Sequence, residues 1–145
     1  EPDLEQGMFD QWALRGISEE MLVAVRMLAH WLSFGPPLML AALPASALVG
    51  IDGEKLWLVE LGLLAGTPGL AALGVMVAAI TAGLRGGAAL GGLLAIPLAI
   101  PLLVFGAGSL AVGGESGLGL TAAFSLVLLA ITPFAAGAAI RSGRS

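Results

Sequence analysis

The stretch GGAALGGLLAIPLAIPLLVFGAGSLAVGG, residues 86–114, decides the fold. It carries no charged side chain and is built mostly of Leu, Ile, Ala and Gly. About 20 such residues in a helix cross a hydrocarbon layer of about 30 Å, so the run leaves a few for tilt or for the interface. Pro97 and Pro101 lie inside it. They would break a helix in water, but in a bilayer they kink it, because neighbouring helices repair the backbone bonds that proline removes. A lipid-exposed strand or loop has no such remedy, and the apolar–polar alternation of a barrel is absent.

Working outward, with charged residues as fence posts, the runs 27–51, 61–84 and 116–140 repeat the pattern, prolines included: Pro36, Pro37, Pro44, Pro68 and Pro133. The four runs predict an all-α fold, a polytopic integral membrane helix bundle. Its spans cover about 27–50, 59–84, 87–112 and 118–140 in a transmembrane domain over 27–145, with a water-facing segment over 1–26 before it.

Composition excludes the other classes. Of 145 residues, 58% are of hydrophobic type and 11% are charged, with 22 glycines. A soluble domain spends about a quarter of its residues on charge, and a disordered chain is apolar-poor and charge-rich. The net charge of -4 and the single lysine, Lys55, argue against nucleic acid as a partner. Without cysteine there is no disulfide framework and no thiolate site. The opening Glu1-Pro2-Asp3 is neither a secretory signal nor a transit peptide, and it reads as a processed or truncated start.

The few basic residues orient the bundle. With the first segment in the cytoplasm, Arg15, Arg26, Arg85, Arg141 and Arg144 all fall on the cytoplasmic side and Lys55 alone falls outside. Basic residues set topology while acids count little, so both termini are expected in the cytoplasm. Gly62-x-x-x-Gly66 and Gly87-x-x-x-Gly91 each set two small residues on one helix face, which reads as close helix packing rather than a substrate path.

Residues 1–26 divide at Gly16. Asp3 is expected to cap a short helix with Gln6 three residues on, Arg15 to stand near its far end, where the helix dipole favours a cation, and Gly16 to stop it. Met8, Phe9 and Trp12 gather on one side, while Glu5, Gln6 and Asp10 lie elsewhere. Three large apolar side chains on so short a helix need cover. An interfacial membrane helix wants Lys and Arg on its polar face, and this face is acidic, so a protein groove fits better. A second helix begins after Ser18, a good N-cap followed by Glu19 and Glu20, and runs through Arg26 into the first span. A helix joined rigidly to a span in this way is how a soluble motor could push on the bundle.

Self-powered chemistry has no residues to rest on. There is no Walker sequence, and no span carries the paired ionisable groups of ion-coupled transporters. Thr67, Ser109, Ser125 and Thr132 are expected to bond to carbonyls of their own helices. His30, the sole histidine, is a candidate haem ligand or an interfacial anchor beside Trp31, and no second ligand is visible, which favours the anchor. Trp57 reads as an interfacial anchor too, and Glu60 stands at the outer start of the second span. No catalytic, metal or cofactor-binding set is assigned, and the chain is not expected to be an enzyme.

Several words in the sequence go together. These are Ala29-His30-Trp31, Gly35-Pro36-Pro37-Leu38, Gly66-Thr67-Pro68 with Leu73-Gly74, and Gly83-Leu84-Arg85-Gly86-Gly87. They continue with Pro97-Leu98-Ala99-Ile100-Pro101-Leu102-Leu103-Val104-Phe105 and Pro133-Phe134-Ala135 with Arg141. In order and spacing this set resembles the haem exporter protein B family, CcmB, the permease of the cytochrome c maturation ABC transporter. Family members have six spans, and this chain is similar to the last four with the cytoplasmic segment before them, which implies that the first two spans are missing. The family's D-G-[ST]-L-[ED]-Q pattern is similar to Gln6-Gly7-Met8-Phe9-Asp10-Gln11, with departures at Gln6 and Met8. Arg15-Gly16 replaces a usual Leu-Pro pair, and Arg26 a usual Lys.

The resemblance implies a permease of the bacterial inner membrane that carries haem, or releases a haem-loaded periplasmic chaperone, at the expense of ATP hydrolysed by a partner. The implied partners are a CcmA-like cytoplasmic ATPase, CcmC-like and CcmD-like membrane proteins and a CcmE-like haem chaperone, besides the lipid bilayer. The coupling helix would dock on the ATPase through Asp3, Gly7, Met8, Phe9, Asp10, Gln11, Trp12 and Arg15. The rival reading is a membrane scaffold that holds haem-handling partners together without transport. A secondary transporter is disfavoured by the uncharged spans.

Overall fold

The computed structural model describes residues 16–82, 84, 86–111 and 113–143. They form four helices, α1 (Glu19–Val49), α2 (Gly53–Thr81), α3 (Gly87–Gly108) and α4 (Glu115–Gly143), each long and apolar enough to cross a membrane. The fold is the helical membrane bundle expected from the charge-free runs.

Local chemistry sets the helix ends, and α1 and α2 extend beyond the apolar runs because caps, not charges, terminate helices. Ser18 accepts a hydrogen bond from the Met21 amide at 3.2 Å, and Glu19 and Glu20 occupy the first turn of α1, where the dipole favours acids. At the other end Gly50 takes φ 74, a left-handed conformation natural to glycine, while its amide and that of Ile51 both donate to Ser46 O. Asp52 then caps α2 by accepting from the Lys55 amide at 3.0 Å. One helix stops and the next starts within Gly50-Ile51-Asp52. All seven prolines of the runs lie within helices.

Helices α2 and α4 form the central pair, and α1 and α3 each pack on both of them from opposite sides. On α4 the buried positions Thr121, Ser125, Leu128, Thr132 and Ala136 recur every three or four residues, a stripe facing α2, while Gly117 before them abuts the end of α3, where a Cβ would lie 2.9 Å from Phe105 O. Opposite them α2 presents glycine. A Cβ on Gly66 would lie 3.3 Å from Thr121 Cγ2, and one on Gly69 only 2.9 Å from Ser125 Cα. The backbones thus approach more closely than any side chain at Gly69 would permit, the packing that substitutes for a hydrophobic drive between helices in lipid. The second glycine pair docks α3 on the end of α2: a Cβ on Gly87 would collide with Thr81 O, and one on Gly91 would lie 3.5 Å from Val77 Cγ1. Around this seam Val23 and Met27 of α1, Leu73, Val75 and Val77 of α2, Leu102 of α3 and Leu128 of α4 make the core.

Two of the four expected hydroxyl bonds differ. Thr67 donates to Leu63 O at 2.7 Å and Ser109 to Gly106 O at 2.6 Å, each within its helical run. Thr132 instead donates across the seam to Ala72 O at 3.4 Å, and the buried Ser125 hydroxyl has no partner. The cause is the tightness of the seam: the carbonyls of α2 come within reach of Thr132, and Ser125 faces a glycine that offers nothing.

Candidate functional site

The coupling residues read from the sequence, Asp3, Gly7, Met8, Phe9, Asp10, Gln11, Trp12 and Arg15, lie outside the described residues. The structure does describe what that segment connects to. Gly16 takes φ 74, a left-handed conformation natural to glycine, and only Ile17 and Ser18 separate it from α1.

Where α1 begins, α4 ends. Arg141, in the last turn of α4, bonds through Nη1 to Glu20 Oε1 and lies 3.4 Å from Glu19 Oε2. The acids stand at a positive helix terminus and the arginine at a negative one, so both dipoles favour the pairing. Gly137, one turn before Arg141, leaves room for the clasp: a Cβ there would lie 3.3 Å from Glu20 Oε1. Both groups lie beyond the uncharged runs. The hydrogen bond from Arg141, followed by one from the backbone of Glu20, holds the Glu20 carboxyl below the usual carboxylate range. The same bond raises the Arg141 guanidinium. The clasp is exposed and so adds little to stability; its effect is geometric, tying the two ends together. Sequence reading missed this contact between residues 121 positions apart. The available signal was an acidic pair opening the first span and an arginine closing the last, on one side of the membrane.

Farther along α1, His30 is exposed and meets Phe34 edge-on at 5.4 Å. It leans on α2 where a glycine admits it, since a Cβ on Gly74 would lie 3.4 Å from Nε2. Among the described residues no three of His, Cys, Asp and Glu gather into a metal-binding group. Trp31 does different work from its neighbour: its indole N–H donates to Thr67 Oγ1 at 2.9 Å, joining α1 to α2. The ring lies against Gly35, where a Cβ would come within 2.6 Å of Nε1. The words Ala29-His30-Trp31, Gly35-Pro36 and Gly66-Thr67-Pro68, far apart in sequence, thus meet at one junction. At the opposite end of the bundle Trp57 is 65% exposed on the first turns of α2, and Glu60 one turn deeper has a buried, unpartnered Oε1.

These features define a class, a polytopic helical membrane protein whose cross-helix ionic contact lies at one end of the bundle. The family is more specific. Residues 1–143 match the family model described as CcmB protein, and the chain belongs to that family. A heme exporter protein B of Paracoccus denitrificans is 43% identical over 145 residues, covering 96% of this chain and 66% of the relative. That of Rhodobacter capsulatus is 41% identical with the same coverage, and that of Escherichia coli K12 is 33% identical over 144 residues, again 96% and 66%. The chain therefore spans about 66% of the length of these relatives.

Proposed function

We propose that the chain is part of a permease subunit of an ABC transporter for cytochrome c biogenesis. It couples ATP hydrolysis by a CcmA-like ATPase to haem export, or to release of a haem-loaded CcmE-like chaperone, in the bacterial inner membrane with both termini cytoplasmic. The observation that carries this reading is the family match from residue 1 to 143, which takes in the acidic amphipathic segment as well as all four helices. The relatives' name, heme exporter protein B, supplies the cargo. Haem is then substrate, ATP belongs to the partner, and CcmC-like and CcmD-like proteins complete the assembly.

The mechanism rests on where force could enter. The four spans described carry no ionisable pair of the kind that ion-coupled transporters use, which supports a mechanical input of energy. A helix over residues 3–15, seated by Met8, Phe9 and Trp12 in a groove of the ATPase, would pass its displacement through Gly16 to α1. The clasp of Arg141 on Glu19 and Glu20 would carry α4 along with α1.

The test uses the full-length protein, co-expressed with the partner ATPase and solubilised mildly. Wild type is expected to retain the ATPase, and Phe9→Asp with Trp12→Asp to lose it while remaining in the membrane. Equal retention by the variant would eliminate the coupling helix, and no retention by wild type would favour the scaffold.

A further inference from the structure

Near the turn between α1 and α2, a groove of about 440 Å³ opens between the two helices. It is lined by Met39, Leu40 and Leu43 of α1 and by Leu56, Trp57 and Glu60 of α2. Leu40, Leu43 and Trp57 are 68%, 47% and 65% exposed. Glu60 is the exception in this apolar wall. Its Oε1 is buried without a partner, and among the described residues no group donates to the carboxylate.

The depth of that carboxylate follows from helix geometry. α2 has 29 residues, so it is about 43 Å long and exceeds a hydrocarbon layer of about 30 Å by roughly 6 Å at each end. Trp57, four residues past Gly53, then sits about 6 Å down the axis, at the boundary where an indole prefers to lie. The Cα of Glu60 sits about 10 Å down, a few ångströms inside. Helical side chains lean toward their N-terminus, which for α2 is the headgroup side, so the carboxylate rises toward the level of Trp57. An acid held there, half desolvated and without a donor, calls for a cation. Lys55 does not supply it: it is five residues earlier, well round the helix, and pairs with Asp52 at 3.7 Å.

We infer that this groove is a binding site for a phospholipid with a primary ammonium headgroup, of the phosphatidylethanolamine type. One acyl chain lies along Met39, Leu40, Leu43 and Leu56. The ammonium donates to Glu60 and rests near the face of Trp57, which attracts cations. A primary amine is selected over choline because the carboxylate lacks hydrogen-bond donors, and a trimethylated nitrogen has none to give. The groove opens to the bilayer through its most exposed residues, so a lipid reaches it without any protein moving.

The test reads Trp57 emission in the full-length protein reconstituted in phosphatidylcholine nanodiscs. These contain a small fixed fraction of lipid brominated on the upper acyl chain, either phosphatidylethanolamine or phosphatidylcholine. The part of the quenching lost in Trp57→Phe is the signal from the groove. Brominated phosphatidylethanolamine is expected to quench about threefold more than brominated phosphatidylcholine, the ratio that one charged hydrogen bond at an interface supports. Glu60→Gln, which keeps the shape and removes the charge, is expected to bring the ratio to one with unchanged helicity. Equal quenching by both lipids in wild type overturns the inference, and so does a preference that survives Glu60→Gln. Absence of quenching by either lipid would mean that a protein segment covers the groove, and would overturn it too.

Discussion

Replacing Gly69 by alanine is the most direct probe of the α2–α4 seam. The added methyl carbon would lie 2.9 Å from Ser125 Cα and 2.5 Å from its Oγ. The hydroxyl can rotate away, but the Cα belongs to the backbone of α4 and cannot. Ordinary carbon–carbon contact begins at about 3.5 Å, so the helices must part locally by about half an ångström or more. Overpacking of this kind costs about 1–3 kcal/mol, and alanine recovers up to about 1 kcal/mol in helix propensity. A clash with a backbone carbon, which cannot rotate away, belongs at the upper end of that cost, so the net loss is about 2 kcal/mol, a factor of roughly 30 in the folded-to-unfolded ratio. Gly92→Ala is the control: nothing lies within 4 Å of a Cβ there, and it too sits inside a helix. Full-length variants in one detergent would be followed by circular dichroism through a thermal or denaturing-detergent ramp. Gly69→Ala is expected to unfold earlier than wild type and Gly92→Ala no earlier. Equal stability of the two variants would refute the claim that backbone approach at Gly69 holds the central pair.

Two further outcomes follow from named contacts. Trp31→Phe removes the donor to Thr67 Oγ1 and leaves the Thr67 bond to Leu63 O in place, so a double-mutant cycle with Thr67→Val should give a coupling of about 0.6 kcal/mol, as for inter-helix hydrogen bonds in membranes; a coupling near zero would mean the bond holds nothing. For the clasp, Arg141 lowers the folded-state pKa of Glu20, so its contribution is present above the ordinary carboxylate range and disappears as pH falls through the lowered value. Amide exchange in the first turn of α1 should therefore quicken, relative to the intrinsic rate, on acidification below that range, and Arg141→Gln should show the quicker exchange already at neutral pH.

Much of the fold was legible because lipid imposes simple rules. Charge-free runs longer than a bilayer is thick can only be helices, and prolines within them cease to be breakers. Ser18 is legible as a cap, and Gly50 and Asp52, which did not stand out in the sequence, cap by equally local chemistry. The pairing of helices was harder. Gly62 and Gly66 stood out by spacing, but the closest approach of α2 to α4 occurs at Gly69, three residues beyond Gly66 on the same face and outside the Gly-x-x-x-Gly pair. The bond from Thr132 to α2 and the reach of Trp31 to Thr67 join residues 60 and 36 positions apart. Spacing along one helix carries no information about which neighbour it meets.

The distribution of charge links the bundle to the proposed mechanism. Asp52 and Lys55 pair within one turn at the end where α1 and α2 join, so their contact cannot transmit motion between helices. Arg141 with Glu19 and Glu20 does join two helices, at the end where the amphipathic segment enters. Being exposed, the clasp is weak enough to break and re-form, whereas the seam between α2 and α4 is packed backbone to backbone and yields only at the cost worked out for Gly69. Force applied at Gly16, as proposed, would meet a stiff central pair to which α1 is joined by the Trp31–Thr67 bond and, at the end nearest Gly16, by the releasable clasp. If the clasp couples α1 to α4, Arg141→Gln should leave ATPase retention intact, since the proposed docking residues are untouched, while lowering the output obtained per ATP hydrolysed. Loss of retention would place Arg141 in docking instead, and unchanged output would make the clasp ornamental to the stroke.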